Sequence, residues 1–372
     1  STSVLFNGGN MLSSQIIQTN IDELKAITKV DLCVYDLGGI LLAKTTDMSD
    51  VNSALLDGFI ESPADSQVIG NHHLLKVWDE GELLYVIIAK GTSEDAYMVG
   101  KIAVCQLQNL SIAYKEKFDR NNFFQNLLLD NMLLVDIYNR AKKLHVEVTC
   151  PRVVYLIETK SEKDGMISEL LKGMFTSQGG DYITAIDESN IILIKNVEAD
   201  SSYKALEETA STIVAMMNTE AMLNVKVSFG TVVQEIKDVS KSYKEAKMAL
   251  DVGKIFYAEK DVVAYSTLGI GRLIYQLPVN LCKIFIDEIF GDNDLSDLDE
   301  ETLTTIQKFF ENNLNVSETS RLLFVHRNTL AYRIEKLQKS TGLDLRCFED
   351  ALTFKIALMV VNYMKYLESM DY

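Results

Sequence analysis

The chain has 372 residues, 47% of them hydrophobic and 24% charged, with a formal net charge of −17. This length exceeds one ordinary core and calls for two or three domains, and the composition is that of a globular chain without low-complexity tracts. The acidic balance repels nucleic acid from most of the surface, so any such contact must be local.

Five scattered cysteines (Cys33, Cys105, Cys150, Cys282, Cys347) form no CxxC pair and no Cys/His cluster. They argue against a disulfide framework or a zinc site and fit a reducing cytoplasm. The longest apolar run, Leu83 to Ala89, falls far short of the roughly 20 residues of a membrane span. No signal-like segment precedes the body. Ser1–Asn10 (STSVLFNGGN) is expected to lie outside the fold.

Residues 11–110 read as a small α+β domain. VDLCVYDLGGILLAKT is two strands around Gly38-Gly39, VNSALLDGFIES is a helix, and HLLKVWDEGELLYVIIAKG is a hairpin around Asp79-Glu80-Gly81. AYMVGKIAVCQLQNL then reads as a last strand running into a helix. This layout suggests a PAS/GAF-like sensor for a small-molecule effector. On strict alternation His73, Leu75 and Val77 share a strand face, so His73 could point into a cavity, with Tyr35 and Trp78 as stacking surface. Ordinary packing is the competing reading for each of the three.

Residues 111–149 form a connector free of Gly, with one helical stretch broken near Asp130-Asn131. Its apolar face comprises Phe123, Phe124, Leu127, Leu128, Val135 and Tyr138. Residues 150–268 alternate strands and helices around one hairpin, which implies a sheet covered by helices, close to ferredoxin-like or nucleotidyl-cyclase topology. The acidic run Asp292–Glu301 (DNDLSDLDEE) lacks EF-hand spacing and reads as a solvated linker. No catalytic, metal or cofactor site is assigned.

Residues 269–372 show only helical periodicity. SETSRLL is a short helix with Ser317 as a plausible N-cap and Ser320 allowing close packing. Phe324-Val325 makes the turn, and HRNTLAYRIEKLQKS is a second helix. Leu330, Ile334 and Leu337 face inward, while Arg327, Asn328, Ala331, Arg333, Lys336 and Lys339 are left largely outward. From Val316 to Arg346 six Lys/Arg stand against three Asp/Glu, a local charge of +3. Two helices across a tight turn with donors on the second is the helix-turn-helix layout. Arg327 suits guanine bidentately, Asn328 adenine or phosphate, and Thr329 a phosphate or thymine methyl.

The run VHRNTLAYRIEKLQKSTGLDLRCFEDALTFKIAL resembles the C-terminal helix-turn-helix of PucR/CdaR-type bacterial regulators (purine-catabolism and sugar-diacid regulators). The core lies at Val325 to Leu330, Tyr332-Arg333 and Thr341 to Arg346. SYKEAKMAL (Ser242 to Leu250) and NFFQNLLLDN are also similar to the family, extending the resemblance over about 115 to 372. It implies a degenerate GGDEF-like middle domain for dimerisation or relay. The implied DNA-facing set is His326, Arg327, Asn328, Thr329, Tyr332, Arg333 and Lys336.

Gly179-Gly180-Asp181 spells GGD but precedes the hairpin, whose tip is Asp187-Glu188-Ser189-Asn190. The Arg/His-Glu-Gly-Ala pattern of the sugar-diacid sensor domain is missing, so the effector is open. The expectation is a cytoplasmic, multidomain α+β, ligand-responsive regulator that binds double-stranded DNA as a homodimer or higher even oligomer. The alternatives are a divergent nucleotide cyclase or phosphodiesterase with a DNA module, or a protein–protein adaptor.

Overall fold

A computed structural model of the chain describes residues 12–49, 51–159, 164–175, 179–291 and 300–370. Ser1–Asn10 and most of the acidic run, 292–299, lie outside the described residues. Two compact units divide the chain, one built on residues up to 126 with 143–145, the other on 127–142 and 146 onward.

In the first unit the order is α1 (Ser14–Thr28), β1 (Leu32–Tyr35), β2 (Leu41–Lys44), α2 (Ser53–Glu61), β3 (Ser66–Ile69), β4 (His72–Asp79), β5 (Glu82–Lys90) and α3 (Glu94–Leu128). The strands form an antiparallel sheet in the order β2-β1-β5-β4-β3. The period of two sorts its side chains cleanly. Leu32, Val34, Leu75, Val77, Ile87 and Ala89 pack with Ile17 and Ile21 of α1 and with Val99, Ala103 and Leu107 of α3. Cys33, Leu74, Val86 and Ile88 face the other way, against Leu56 and Phe59 of α2. Both expected hairpins form. At the second, Glu80 and Gly81 both take positive φ (47° and 88°), the twist a two-residue connection needs.

The expected last strand near Tyr97 is instead helix, part of an uninterrupted α3 of 35 residues. Burial follows the helical period, at Ala96, Val99, Ala103, Val104 and Leu107. Gly100 inside this helix is explained by proximity, since an added Cβ would stand 2.6 Å from Leu75 Cδ1.

The second unit continues with α4 (Leu134–Lys143), β6 (Thr149–Glu158), α5 (Asp164–Phe175), β7 (Tyr182–Ala185), β8 (Asn190–Asn196), α6 (Tyr203–Glu220), β9 (Lys226–Phe229), β10 (Val233–Glu235), α7 (Val239–Phe256) and β11 (Val262–Ala264). Its sheet runs β11-β9-β6-β8-β7, with β10 also paired to β6. The β11–β9 pairing is parallel and the rest antiparallel. Val153, Tyr155 and Ile157 of the central strand pack with Ile167 and Leu171 of α5 and Ala210, Ile213 and Met217 of α6. On the opposite face α7 lies so close that Ser242 Oγ accepts the Val154 amide at 3.0 Å. The helical connector breaks where expected, with Asp130 in the left-handed region (φ 61°). Phe123, Phe124, Leu127 and Leu128 are buried as expected, but Val135 is 69% exposed because it falls on the outer side of α4.

Only helices follow among the described residues: α8 (Ile270–Tyr275), α9 (Val279–Phe290), α10 (Glu300–Glu311), α11 (Val316–Leu322), α12 (Arg327–Thr341) and α13 (Phe348–Met370). Asp251 of α7 accepts from Tyr275 Oη at 2.8 Å and Tyr366 Oη at 3.2 Å, joining the sheet domain to α8 and α13. Burial, reinforced by the Asp251 carboxylate, pushes both phenols well above the ordinary tyrosine range. No helix among the described residues is long and apolar enough to cross a membrane.

Candidate nucleic-acid interface

The C-terminal helices share one core of Ile306, Phe309, Leu330, Ile334, Leu337, Leu345, Phe354 and Ala357. Leu330, Ile334 and Leu337 stand at i, i+4 and i+7, so one stripe of α12 is committed to that core and the remainder turns outward. Thr319 and Ser320 are buried in α11, where small side chains allow it close to α12. The N-cap of α11 is Asn315, whose side-chain oxygen accepts the Glu318 amide at 3.1 Å, rather than the expected Ser317. Both residue types cap helices, and the chain turns two residues earlier.

The turn between α11 and α12 is closed by backbone alone. The Phe324 N–H donates to the Arg321 carbonyl at 3.2 Å, and the Val325 N–H to the Ser320 carbonyl at 3.0 Å. His326 is then the N-cap of α12, its Nδ1 accepting the Asn328 amide at 3.2 Å. Its ring is thus engaged in holding the helix start. Arg327, Asn328 and Thr329 of the first turn are all exposed, as are Lys336 and Lys339, and Tyr332 is 67% exposed. Arg327, Asn328 and Thr329 share the helix end where unpaired amides and the macrodipole already favour an anion, while Lys336 and Lys339 stand farther along α12.

Arg333 departs from the outward reading. Its guanidinium pairs with Glu301 and donates to Thr305 Oγ1 at 2.9 Å, leaving the side chain 19% exposed. It braces α12 against α10, because its position on the helix lies beside the core stripe. Arg321 is held by Glu318 at 2.5 Å, and that pairing keeps the Glu318 carboxyl below its usual range.

The three candidate effector residues are not brought together. Tyr35 packs on the α2 face of the first sheet, and Trp78 Nε1 donates to Asp65 Oδ1 at 3.0 Å. His73 lies on the other face by alternation, with Nε2 3.2 Å from the Ser93 carbonyl and its ring 5.5 Å from Tyr97. Lys76, not singled out from the sequence, is buried between Phe59 and Trp78 and donates to the Ser62 carbonyl at 2.5 Å. Its signal is a charge set inside the apolar run Leu74–Trp78. Capping the end of α2 accounts for it.

In the middle domain GGD is structural. A Cβ on Gly180 would stand 1.9 Å from Asn196 Nδ2, and Asp181 accepts the Asn196 amide at 2.8 Å and Lys195 Nζ at 3.2 Å. At the hairpin tip the Asp187 carboxylate accepts the Ser189 amide at 2.9 Å and Asn190 Nδ2 at 3.0 Å, closing its own turn.

Residues 302–360 match the PucR C-terminal helix-turn-helix domain. Residues 131–252 match the GGDEF-like domain. The chain is 25% identical over 314 residues to the carbohydrate diacid regulator of Escherichia coli (strain K12), covering 76% of this chain and 77% of that one. It is 28% identical over 167 residues to the purine catabolism regulatory protein of Bacillus subtilis (strain 168), covering 44% of this chain and 32% of that one. To the DNA-binding transcriptional activator AdeR of the same organism it is 23% identical over 299 residues, covering 76% and 71% respectively.

Proposed function

The chain belongs to the PucR/CdaR-type bacterial transcriptional regulators, and from that premise we propose how its parts divide the work. It is a DNA-binding transcriptional regulator whose α12 enters the major groove with its N-terminus leading. The observation that carries this reading is the first turn of α12, where Arg327, Asn328 and Thr329 stand exposed while Leu330, Ile334 and Leu337 lock the opposite face. Arg327 reads a guanine edge, Asn328 and Thr329 take a base edge or phosphate, Tyr332 and Lys336 flank them, and His326 positions the helix start. Arg333 acts through packing.

The first unit is a PAS/GAF-like sensor for a small-molecule effector, a reading supported by its antiparallel sheet with helices on both faces. The GGDEF-like domain serves as relay or dimerisation scaffold rather than as an enzyme, supported by Asp187 at the hairpin tip and Asp181 of GGD both being engaged with neighbouring backbone amides. One helix-turn-helix head contacts few base pairs, so the working form is a cytoplasmic homodimer on half-sites about 34 Å apart. The effector acts by favouring one arrangement of the heads.

The test is fluorescence anisotropy of the full chain on duplex DNA from upstream of its own gene, across a salt series. Tight binding with a steep negative salt slope is expected, and Arg327→Ala should lose about 1–3 kcal/mol together with its preference over scrambled duplex. Salt-independent binding, or none with and without cell extract, would reject the reading.

A further inference from the structure

Phe324 sits in the turn that presents α12, and its conformation and exposure are jointly uneconomical for a folded monomer. Leu323 is the C-cap of α11, which makes Phe324 the residue just beyond it and Val325 the one after. The Val325 amide on the Ser320 carbonyl and the Phe324 amide on the Arg321 carbonyl complete the two bonds of a Schellman motif. That motif demands a left-handed residue at position 324, and Phe324 supplies it with φ 55°. Glycine takes this conformation without steric cost, whereas a bulky side chain is strained in it.

Burial does not offset that strain, for Phe324 is 96% exposed. The apolar contact that fixes chain entry into a helix comes from its neighbour: Val325 packs on the same core as Leu330, four residues inside α12. The turn's hydrogen bonds are backbone bonds, so the benzyl group contributes to none of them. A large apolar side chain that does not support its own domain, two residues before the cap of α12 and three before Arg327, is placed for a ligand of that helix.

We propose that Phe324 is a DNA-contacting residue, packing its ring on the deoxyribose and thymine-methyl surface beside the base edges that Arg327 reads. This rests on the DNA-binding reading of α12. Apolar contact with thymine methyls is an established mode of major-groove recognition. It releases no counterion, so it adds affinity and sequence preference without adding to the salt dependence.

The experiment compares wild type, Phe324→Gly and Phe324→Leu as full chains on the upstream duplex and a scrambled one. Thermal melts and sedimentation are run in parallel. Phe324→Gly is expected to melt at or above the wild-type temperature, to bind the upstream duplex about fivefold or more weakly, and to keep the salt slope; Phe324→Leu should recover part of the affinity. Wild-type affinity in Phe324→Gly overturns the proposal and leaves the Arg327 reading standing. A sharp drop in melting temperature also overturns it, since the ring would then be holding the turn. Loss of self-association in parallel with DNA binding assigns the ring to a second copy of the chain and overturns it as well. If the wild type itself ignores the duplex, the parent reading fails and takes this one with it.

Discussion

The middle and C-terminal domains spend their polar side chains in opposite directions. In the middle domain Asp187 closes its own hairpin, Asp181 holds the end of β8, and Glu245 accepts both the amide and the hydroxyl of Thr231. Ser242 accepts the Val154 amide and donates to the Thr231 carbonyl at 2.8 Å. In the C-terminal domain the first turn of α12 presents Arg327, Asn328 and Thr329 to solvent. Groups satisfied by their own backbone specify a scaffold, and groups presented outward from a rigid element specify an interface. The same letters, read without this distinction, would have put chemistry at GGD and left α12 as one more basic helix.

The largest effect that would sharpen the contrast lies in the scaffold. An added Cβ on Gly230 would meet the Ser242 carbonyl oxygen at 2.2 Å, and backbone cannot yield as a side-chain end can. Gly230→Ala is therefore expected to destabilise the second unit by about 3 kcal/mol, read as a lowered urea midpoint. Next comes the interface. Arg327→Ala should lose about 1–3 kcal/mol of DNA affinity with the urea midpoint unchanged, while the Asp187→Ala, Glu188→Ala double variant keeps full DNA affinity. Metal-dependent nucleotide turnover in wild type that this double variant abolishes would break the contrast at its root.

A smaller effect separates two arginines of one helix. Arg333→Met keeps much of the packing stem but removes the pair with Glu301 and the bond to Thr305, and should cost about 1 kcal/mol of stability. On DNA it should act more weakly than Arg327→Ala and equally on specific and scrambled duplex. Equal losses of specificity from both variants would mean that Arg333 leaves Glu301 to reach a base.

The sequence made the helix-turn-helix legible because its apolar stripe, its turn and its donors agree with one another. What sequence could not resolve is how side chains divide between faces near the edge of a stripe. Arg333 looked outward by spacing, and only the position of Glu301 and Thr305 on a neighbouring helix draws it in. The cap of α11 moved from Ser317 to Asn315 because both side chains serve equally and the entry of the chain decides. Around Tyr97 the expected strand gave way to the three-and-four burial spacing that the sheet imposes on α3. The effector residues were least legible, because alternation sets His73 and Trp78 on opposite faces of one strand and does not say on which of these faces Tyr35 of another strand lies.

The smallest effect tests whether the inward habit of the middle domain extends to the connector. Asp130, at the helix break, accepts from Ser240 Oγ at 3.1 Å and Lys244 Nζ at 2.5 Å of α7. Lys244, then Ser240, hold its carboxyl below the ordinary aspartate value of 3.8. A carboxyl depressed in the folded state contributes stability at pH values above that ordinary value, and the contribution fades as pH falls through the folded one. Its size is limited, since Asp130 is 56% exposed, and about 0.5 kcal/mol is expected after solvent screening. Asp130→Asn is the clean comparison, because asparagine also tolerates the left-handed backbone found there. Urea midpoints of the two proteins should differ at pH 7 and draw together as pH falls below 3.8. A difference that stays constant as pH falls would assign the role of Asp130 to turn geometry, and the link from connector to α7 would then rest on packing alone.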